Sequence, residues 1–168
     1  MKIYLFTMLL IFAALLTSCS MQKETVELKH FPIDDLTGIV PQPIVQFDKS
    51  VSSDGNGSIR IDVSEPTTIF LYTIDDIHID SAQIVYVAKV KSENLNGQAY
   101  LEMWCVFNDK GEFFSRGLDT AVSGTTDWKT IAVPFLLKKN EMPDQFRLNF
   151  VVNGSGTIWI DDIKLIKH

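Results

Sequence analysis

Segments in which apolar and polar residues alternate occupy most of the chain beyond residue 31. They are rich in Val, Ile, Phe and Tyr, and turn-forming pairs such as Asn96-Gly97 and Asn153-Gly154 separate them. No long window shows helical periodicity. The pattern therefore predicts an all-β sandwich of about eight or nine strands. The predicted strands cover residues 44–47, 58–63, 68–73, 83–90, 98–108, 112–116, 128–135, 145–152 and 157–166.

The N-terminal residues have the pattern of a secretory signal peptide. Lys2 precedes an apolar run over residues 3–16, and two small residues stand before Cys19. The apolar run of about fourteen residues is shorter than the roughly twenty that a membrane-spanning helix needs. We therefore expect that the segment is removed. The cysteine at its end is either part of a lipoprotein signal or an accidental residue beside an ordinary signal peptide.

The quartet Leu-Thr-Ser-Cys at residues 16–19 resembles the lipobox of bacterial lipoproteins. The resemblance implies cleavage before Cys19, lipid on its thiol, and sorting to the outer membrane because Ser20 follows. Each buried methylene contributes roughly 0.8 kcal/mol, so two or three acyl chains would form a stable anchor. The expected division is a signal peptide (1–18), a lipidated cysteine with a polar tether (19–30) and one β-sandwich domain (31–168). The membrane face on which the domain stands is left open.

Length, charge and cysteine content narrow the class of protein. Removal of residues 1–18 leaves 150 residues, which is typical of one domain. That removal takes away one lysine and no acid, so 14 basic residues face 21 acidic ones and the formal net charge is −7. This charge argues against nucleic acid or an anionic membrane surface as a partner. With Cys19 lipidated, Cys105 is the last thiol, and we expect it to be a small buried side chain without a disulfide.

Alternation in two predicted strands defines a core face and an outer face. Leu101, Met103, Cys105 and Phe107 share one side of their strand and are predicted to be core. The opposite side, together with the outer side of strand 145–152, carries Tyr100, Glu102, Trp104, Arg147 and Asn149. Aromatic rings beside such hydrogen-bonding groups suit a sugar ring, which has apolar faces and a rim of hydroxyls. The alternative is that the aromatics lie under a loop and that Glu102 and Arg147 form a weak cross-strand ion pair.

The closing segment GTIWIDDIKLIKH sets Asp161 and Asp162 among apolar residues. A catalytic pair, a metal ligand and a local bend are the competing explanations. Plain alternation would send Ile160 and Ile163 to opposite faces, yet both are core-type residues. We therefore predict a β-bulge at the aspartate pair.

No catalytic constellation is visible in the sequence. Adjacent aspartates on a regular strand point to opposite faces, whereas a glycosidase needs two carboxyls across one sugar. There is no Gly-x-Ser-x-Gly elbow, His-Glu-x-x-His helix or Walker loop. Asp76, His78 and Asp80 share one side at strand spacing and are a weak candidate for a metal, with a solvated loop as the favoured alternative. We expect no enzyme activity.

Three segments resemble the galactose-binding-like β-sandwich of many bacterial carbohydrate-binding modules: DGNGSIRIDV, TTDWKTIAVPF and GTIWIDDIKL. The resemblance covers nearly the whole mature chain, from about residue 47 to residue 165, and implies a jelly roll. It also implies a structural calcium ion, with Asp161 as a ligand and the loop 52–57, which includes Asp54, supplying further oxygens.

Together these features predict a non-catalytic, membrane-anchored lipoprotein that binds an oligo- or polysaccharide through Trp104 and its neighbours. The alternative is an accessory module that docks an envelope protein through the same face without binding sugar.

Overall fold

Antiparallel β-strands make up nearly all the regular structure of residues 24–168, the part of the chain that the computed structural model describes. The strands are β1 (Val26–Phe31), β2 (Val45–Asp48), β3 (Ser58–Val63), β4 (Thr67–Asp75), β5 (Ala82–Phe107), β6 (Gly111–Arg116), β7 (Val122–Leu137) and β8 (Gln145–Lys167). A single 3₁₀ turn at Leu118–Thr120 joins β6 to β7. No helix in this part of the chain is long and apolar enough to cross a membrane.

Two long strands, β5 and β8, form the centre of the fold. They pair with each other from Ile84 opposite Lys167 to Val106 opposite Gln145. The first half of β8 also pairs with β4, whereas its second half pairs with β3 and β1. On the other side, β6 borders the second half of β5 and β7 runs mainly along the first half, while β2 borders β3.

The hydrogen-bonded sheet folds over on itself and encloses one hydrophobic core. Ile84 and Ile160 from one half and Leu101 and Phe150 from the other belong to the same buried cluster. The structure thus confirms the predicted all-β sandwich. The predicted core face is confirmed as well, because Leu101, Met103, Cys105 and Phe107 are all buried. Burial raises the pKa of the Cys105 thiol to about 12, in keeping with an inert side chain.

The predicted breaks at Asn96-Gly97 and Asn153-Gly154 are wrong, because β5 and β8 run through them without ending. Gly97 lies opposite Gly154, and the register shifts just before this pair. A Cβ on Gly154 would lie 2.0 Å from the backbone oxygen of Asn96, and one on Gly97 would lie 2.2 Å from that of Asn153. The glycines therefore let two backbones approach closely where the strands pass from one layer to the other.

The predicted tether 19–30 overlaps the first strand of the domain. Residues of β1 pair with β8 from Val26 opposite Lys167 to Phe31 opposite Ile163. Leu28 and Phe31 pack against the core, and the Phe31 ring stacks on Tyr72 at a centroid distance of 3.7 Å. Pairing with β8 thus begins at residue 26, inside the segment predicted to be a tether. The expected signal peptide and Cys19 lie outside the described residues.

The bulge predicted at Asp161 and Asp162 is confirmed. Val87 lies opposite Lys164 and Lys89 lies opposite Asp161, so β8 carries one extra residue between these pairs. Asp162 adopts the left-handed conformation, with φ of 48°. The phase shift buries all four core-type residues around the bulge, which are Ile158, Ile160, Ile163 and Leu165.

The close approach at the strand crossing predicts that Gly154→Ala lowers the free energy of unfolding by about 2–3 kcal/mol, because the new methyl group meets backbone that cannot move aside cheaply. Gly55→Ala is the control: Gly55 has φ of 100° but open space around its Cβ position, so strain alone costs about 1 kcal/mol. Chemical denaturation of the two variants measures the difference. An equal loss in both variants would contradict the packing argument.

Candidate functional site

A groove crosses the outer face of the sheet where β4, β8, β5 and β6 lie side by side. The register places Glu102 of β5 between Asn149 of β8 and Arg116 of β6. Two residues further along β5, Trp104 lies between Arg147 and Phe114. The groove has a volume of about 320 Å³ and is lined by Thr68, Phe70, Glu102, Trp104, Arg116, Arg147, Asn149 and Val151.

Glu102 forms the floor of this groove and organises its neighbours. The residue is only 4% exposed, yet both carboxylate oxygens have partners. Oε1 accepts hydrogen bonds from Trp104 Nε1 at 2.7 Å and from Asn149 Nδ2 at 3.2 Å. Oε2 accepts one from Arg116 Nε at 2.8 Å. The three donors fix the indole, the amide and the guanidinium relative to one another.

The electrostatics of Glu102 keep it ionised. Burial raises its pKa, but the hydrogen bonds from Trp104, Arg116 and Asn149 outweigh burial and hold the pKa below its usual value. A carboxyl that stays ionised and has its oxygens occupied is a poor general acid. Glu102 is therefore a poor candidate for proton transfer.

Arg147 lies over the indole and pairs with Glu112 instead of Glu102. Its guanidinium carbon is 5.7 Å from the centroid of the Trp104 ring, within range of a cation–π contact. Its Nη2 contacts Glu112, whereas Glu102 pairs with Arg116. The considered Glu102–Arg147 ion pair is thus wrong, because β6 supplies a partner to each.

Exposed aromatic side chains extend the surface around Trp104. Phe114 packs against the indole at a centroid distance of 4.8 Å and is 48% exposed. Arg116 lies over the Phe114 ring, with its guanidinium carbon 4.6 Å from the centroid. Phe70, on β4, is 50% exposed on the other side of the groove.

Four of the five predicted site residues line the groove: Glu102, Trp104, Arg147 and Asn149. Tyr100 does not; it lies opposite Val151 and is 7% exposed.

Sequence reasoning missed Phe70, Phe114 and Arg116. Alternation in GEFFSRG places Phe114 and Arg116 on one side of their strand. The turn at residues 109–111 is the signal that could have found them, because a hairpin there pairs this strand with β5 and sets Phe114 opposite Trp104.

Asp161 and Asp162 diverge at the bulge. The buried Asp161 accepts a hydrogen bond from the backbone N–H of Ser53 at 2.8 Å, so it faces the loop 52–57. Asp162 instead contacts His30 Nε2 at 2.7 Å and Lys164 Nζ at 3.0 Å. The two carboxylates therefore have different surroundings on the two sides of the bulge.

The loop 52–57 offers oxygen atoms of the kind that calcium takes. Ser52 Oγ lies 2.8 Å from Asp54 Oδ1 and 3.5 Å from Asp161 Oδ2. Ser53 Oγ is buried and has no hydrogen-bond partner within residues 24–168. These oxygen atoms are of the type that fits calcium. Within residues 24–168 no three or more His, Cys, Asp or Glu residues cluster as metal ligands, and this includes the segment of Asp76 and His78.

Neither family models nor curated proteins match the sequence, but solved structures share its fold. The C-terminal family 22 carbohydrate-binding module of Clostridium thermocellum Xyn10B aligns with a TM-score of 0.59 and 8% identity, over 83% of this chain and 91% of that one. The CBM22-1 xylan-binding domain of Paenibacillus barcinonensis Xyn10C aligns at 0.58 and 10%, over 83% and 93%.

A third match is the two-module CBM22-1–GH10 portion of Clostridium thermocellum Xyn10B in complex with xylohexaose. Its TM-score is 0.62 at 10% identity, over 83% of this chain but 28% of that longer one. At such identities the likeness is one of fold: the chain is a β-sandwich with the architecture of carbohydrate-binding modules.

Proposed function

We propose that this protein is a non-catalytic carbohydrate-binding protein and that the groove around Trp104 holds the glycan. The observation that carries the proposal is the partly exposed aromatic surface of Trp104, Phe114 and Phe70, set beside two arginines on an open sheet face. Sugar rings pack their C–H faces on aromatic rings while polar groups at the rim take the hydroxyls.

The structural neighbours support the same class of ligand. One is described as a xylan-binding domain, and another is complexed with xylohexaose. Those descriptions belong to the neighbours, and the sugar bound by this chain is a separate question. The alternative function is protein docking in the envelope through the same groove, without sugar.

The proposed function predicts that Trp104→Ala and Phe114→Ala each weaken glycan binding about tenfold or more, because each removes part of the aromatic surface. A glycan array of plant, algal and peptidoglycan sugars identifies the ligand, and calorimetry gives the affinities. Phe113→Ala is the matched control. Phe113 is the adjacent residue and is 49% exposed against 48% for Phe114, but it packs near Phe107 outside the groove.

If Phe114→Ala keeps full glycan affinity and Phe113→Ala loses affinity, the glycan binds on the other face of β6. A wild-type protein that binds no glycan on the array would overturn the proposed function. A stoichiometric protein partner whose capture needs Trp104 and no sugar would establish the alternative.

We propose that a lipid on Cys19 anchors the protein to the outer membrane. Support comes from the quartet at residues 16–19, which resembles a lipobox. Labelled palmitate is expected to enter the wild-type protein and not Cys19→Ala, with the variant released from membranes into the soluble fraction. Equal labelling of both would contradict the anchor.

We also propose a structural calcium ion between Asp161 and the loop 52–57, with Asp54 as a second oxygen ligand. Calcium is then expected to raise the melting temperature of the purified protein, because a ligand that binds only the folded state stabilises it. Asp161→Ala is expected to abolish the increment, and Asp75→Ala, a change outside this loop, is expected to keep it. Identical wild-type melting curves with calcium and with chelator would retire the site.

A further inference from the structure

The groove around Trp104 presents many hydrogen-bond donors and few acceptors. Both oxygens of Glu102 are already engaged by protein donors, and Asn149 is 4% exposed. The indole N–H of Trp104 is also used, since it donates to Glu102. The hydrogen-bond acceptors at the floor of the groove are therefore already occupied by protein donors.

The donors that remain are cationic. Arg116 uses its Nε on Glu102, and no hydrogen bond joins its Nη groups to the described residues, while its side chain is 46% exposed. Arg147 contacts Glu112 through Nη2, but its Nε is buried without a partner among residues 24–168. One guanidinium group thus lies over the Trp104 ring and the other over the Phe114 ring, and each has N–H groups without a partner among the described residues.

A neutral sugar hydroxyl both donates and accepts, so it is best matched by a mixed set of groups. A carboxylate or a sulfate only accepts, and a guanidinium binds it through short, charge-assisted hydrogen bonds. We infer that the glycan held in this groove is acidic, and that Arg147 and Arg116 bind an anionic group on the sugar chain. This inference rests on the proposed function and adds the chemical class of the ligand.

Glu112 sharpens the inference because it competes for the same cation. It is half exposed at the rim and contacts Arg147. An acidic glycan must share Arg147 with it or displace it, and its charge repels the ligand. Removal of this charge is therefore expected to strengthen binding of an acidic glycan and to leave a neutral one unaffected.

The overall negative charge of the chain is compatible with an acidic ligand at this place. At physiological ionic strength the Debye length is about 8 Å, so remote carboxylates are screened while the two arginines contact the ligand directly.

The test compares matched pairs of glycans on the purified full-length protein at physiological salt. One arm uses polygalacturonate and its carboxyl-reduced form, and the other uses a sulfated galactan and its desulfated form. In at least one arm the acidic chain is expected to bind about tenfold or more tightly than its neutral counterpart. The arm that shows the preference distinguishes a carboxylate from a sulfate.

Variants of Arg147 and Glu112 test the residues. Arg147→Gln is expected to remove most of the preference for the acidic chain, and Glu112→Gln to increase it. Arg60→Gln is the control, because Arg60 likewise lies over an indole, 5.6 Å from the Trp159 centroid, and pairs with a neighbouring carboxylate, Asp62. It lies outside the groove, so the preference is expected to stay unchanged.

Three results would overturn the inference, and they separate it from the proposed function. Tight binding of neutral glycans with no preference in either arm removes the acidic ligand and leaves glycan binding in place. A preference that survives Arg147→Gln but disappears in Arg60→Gln places the acidic site elsewhere. No binding of these four chains together with a blank glycan array removes both the inference and the function on which it rests.

Discussion

The ladder of hydrogen bonds between β5 and β8 is the constraint on which the rest of the structure depends. β1, β3 and β4 pair with β8, and β6 and β7 pair with β5, so only β2 reaches the ladder through another strand. The ladder passes from one layer to the other at Gly97 and Gly154, where the two backbones lie too close for a side chain. The β5–β8 register sets Glu102 beside Asn149 and Trp104 beside Arg147 in the groove.

Glu102 ties the side chains on this outer face together. A buried carboxylate is costly unless charged or polar donors surround it, and here one donor comes from each of β5, β8 and β6. The same three hydrogen bonds that stabilise the charge orient Trp104 and Arg116. The carboxylate thus acts as a positioning residue, and in the proposed function the aromatic rings and guanidinium groups contact the glycan.

Alternation of apolar and polar residues predicted the features that are set within a single strand. It assigned the core face of β5, put Glu102, Trp104, Arg147 and Asn149 on one outer face, and located the bulge from the phase of the isoleucines. It failed where the outcome depends on strand pairing. Arg116 lines the groove and Phe114 borders it because β6 folds back on β5 through a tight hairpin, and alternation within one strand does not give the register of that hairpin.

Two further differences, the Asn-Gly breaks and strand β1, have local causes. Asn-Gly pairs are good turn formers, but in the middle of these strands the glycines serve the close approach of two backbones. Strand β1 was missed because its alternation covers only residues 26–29 and only Leu28 and Phe31 pack against the core.

The most direct test of glycan binding at Trp104 is a two-dimensional ¹⁵N NMR titration that follows the side-chain N–H signals of the tryptophans and arginines. The Trp104 and Trp159 indoles each donate to a carboxylate, at 2.7 Å and 2.9 Å, and serve as site and internal reference. On addition of a bound oligosaccharide, the Trp104 indole and Arg147 Nε signals should shift together while Trp159 stays fixed. Saturable binding that leaves Trp104 unmoved and shifts Trp159 would contradict the account.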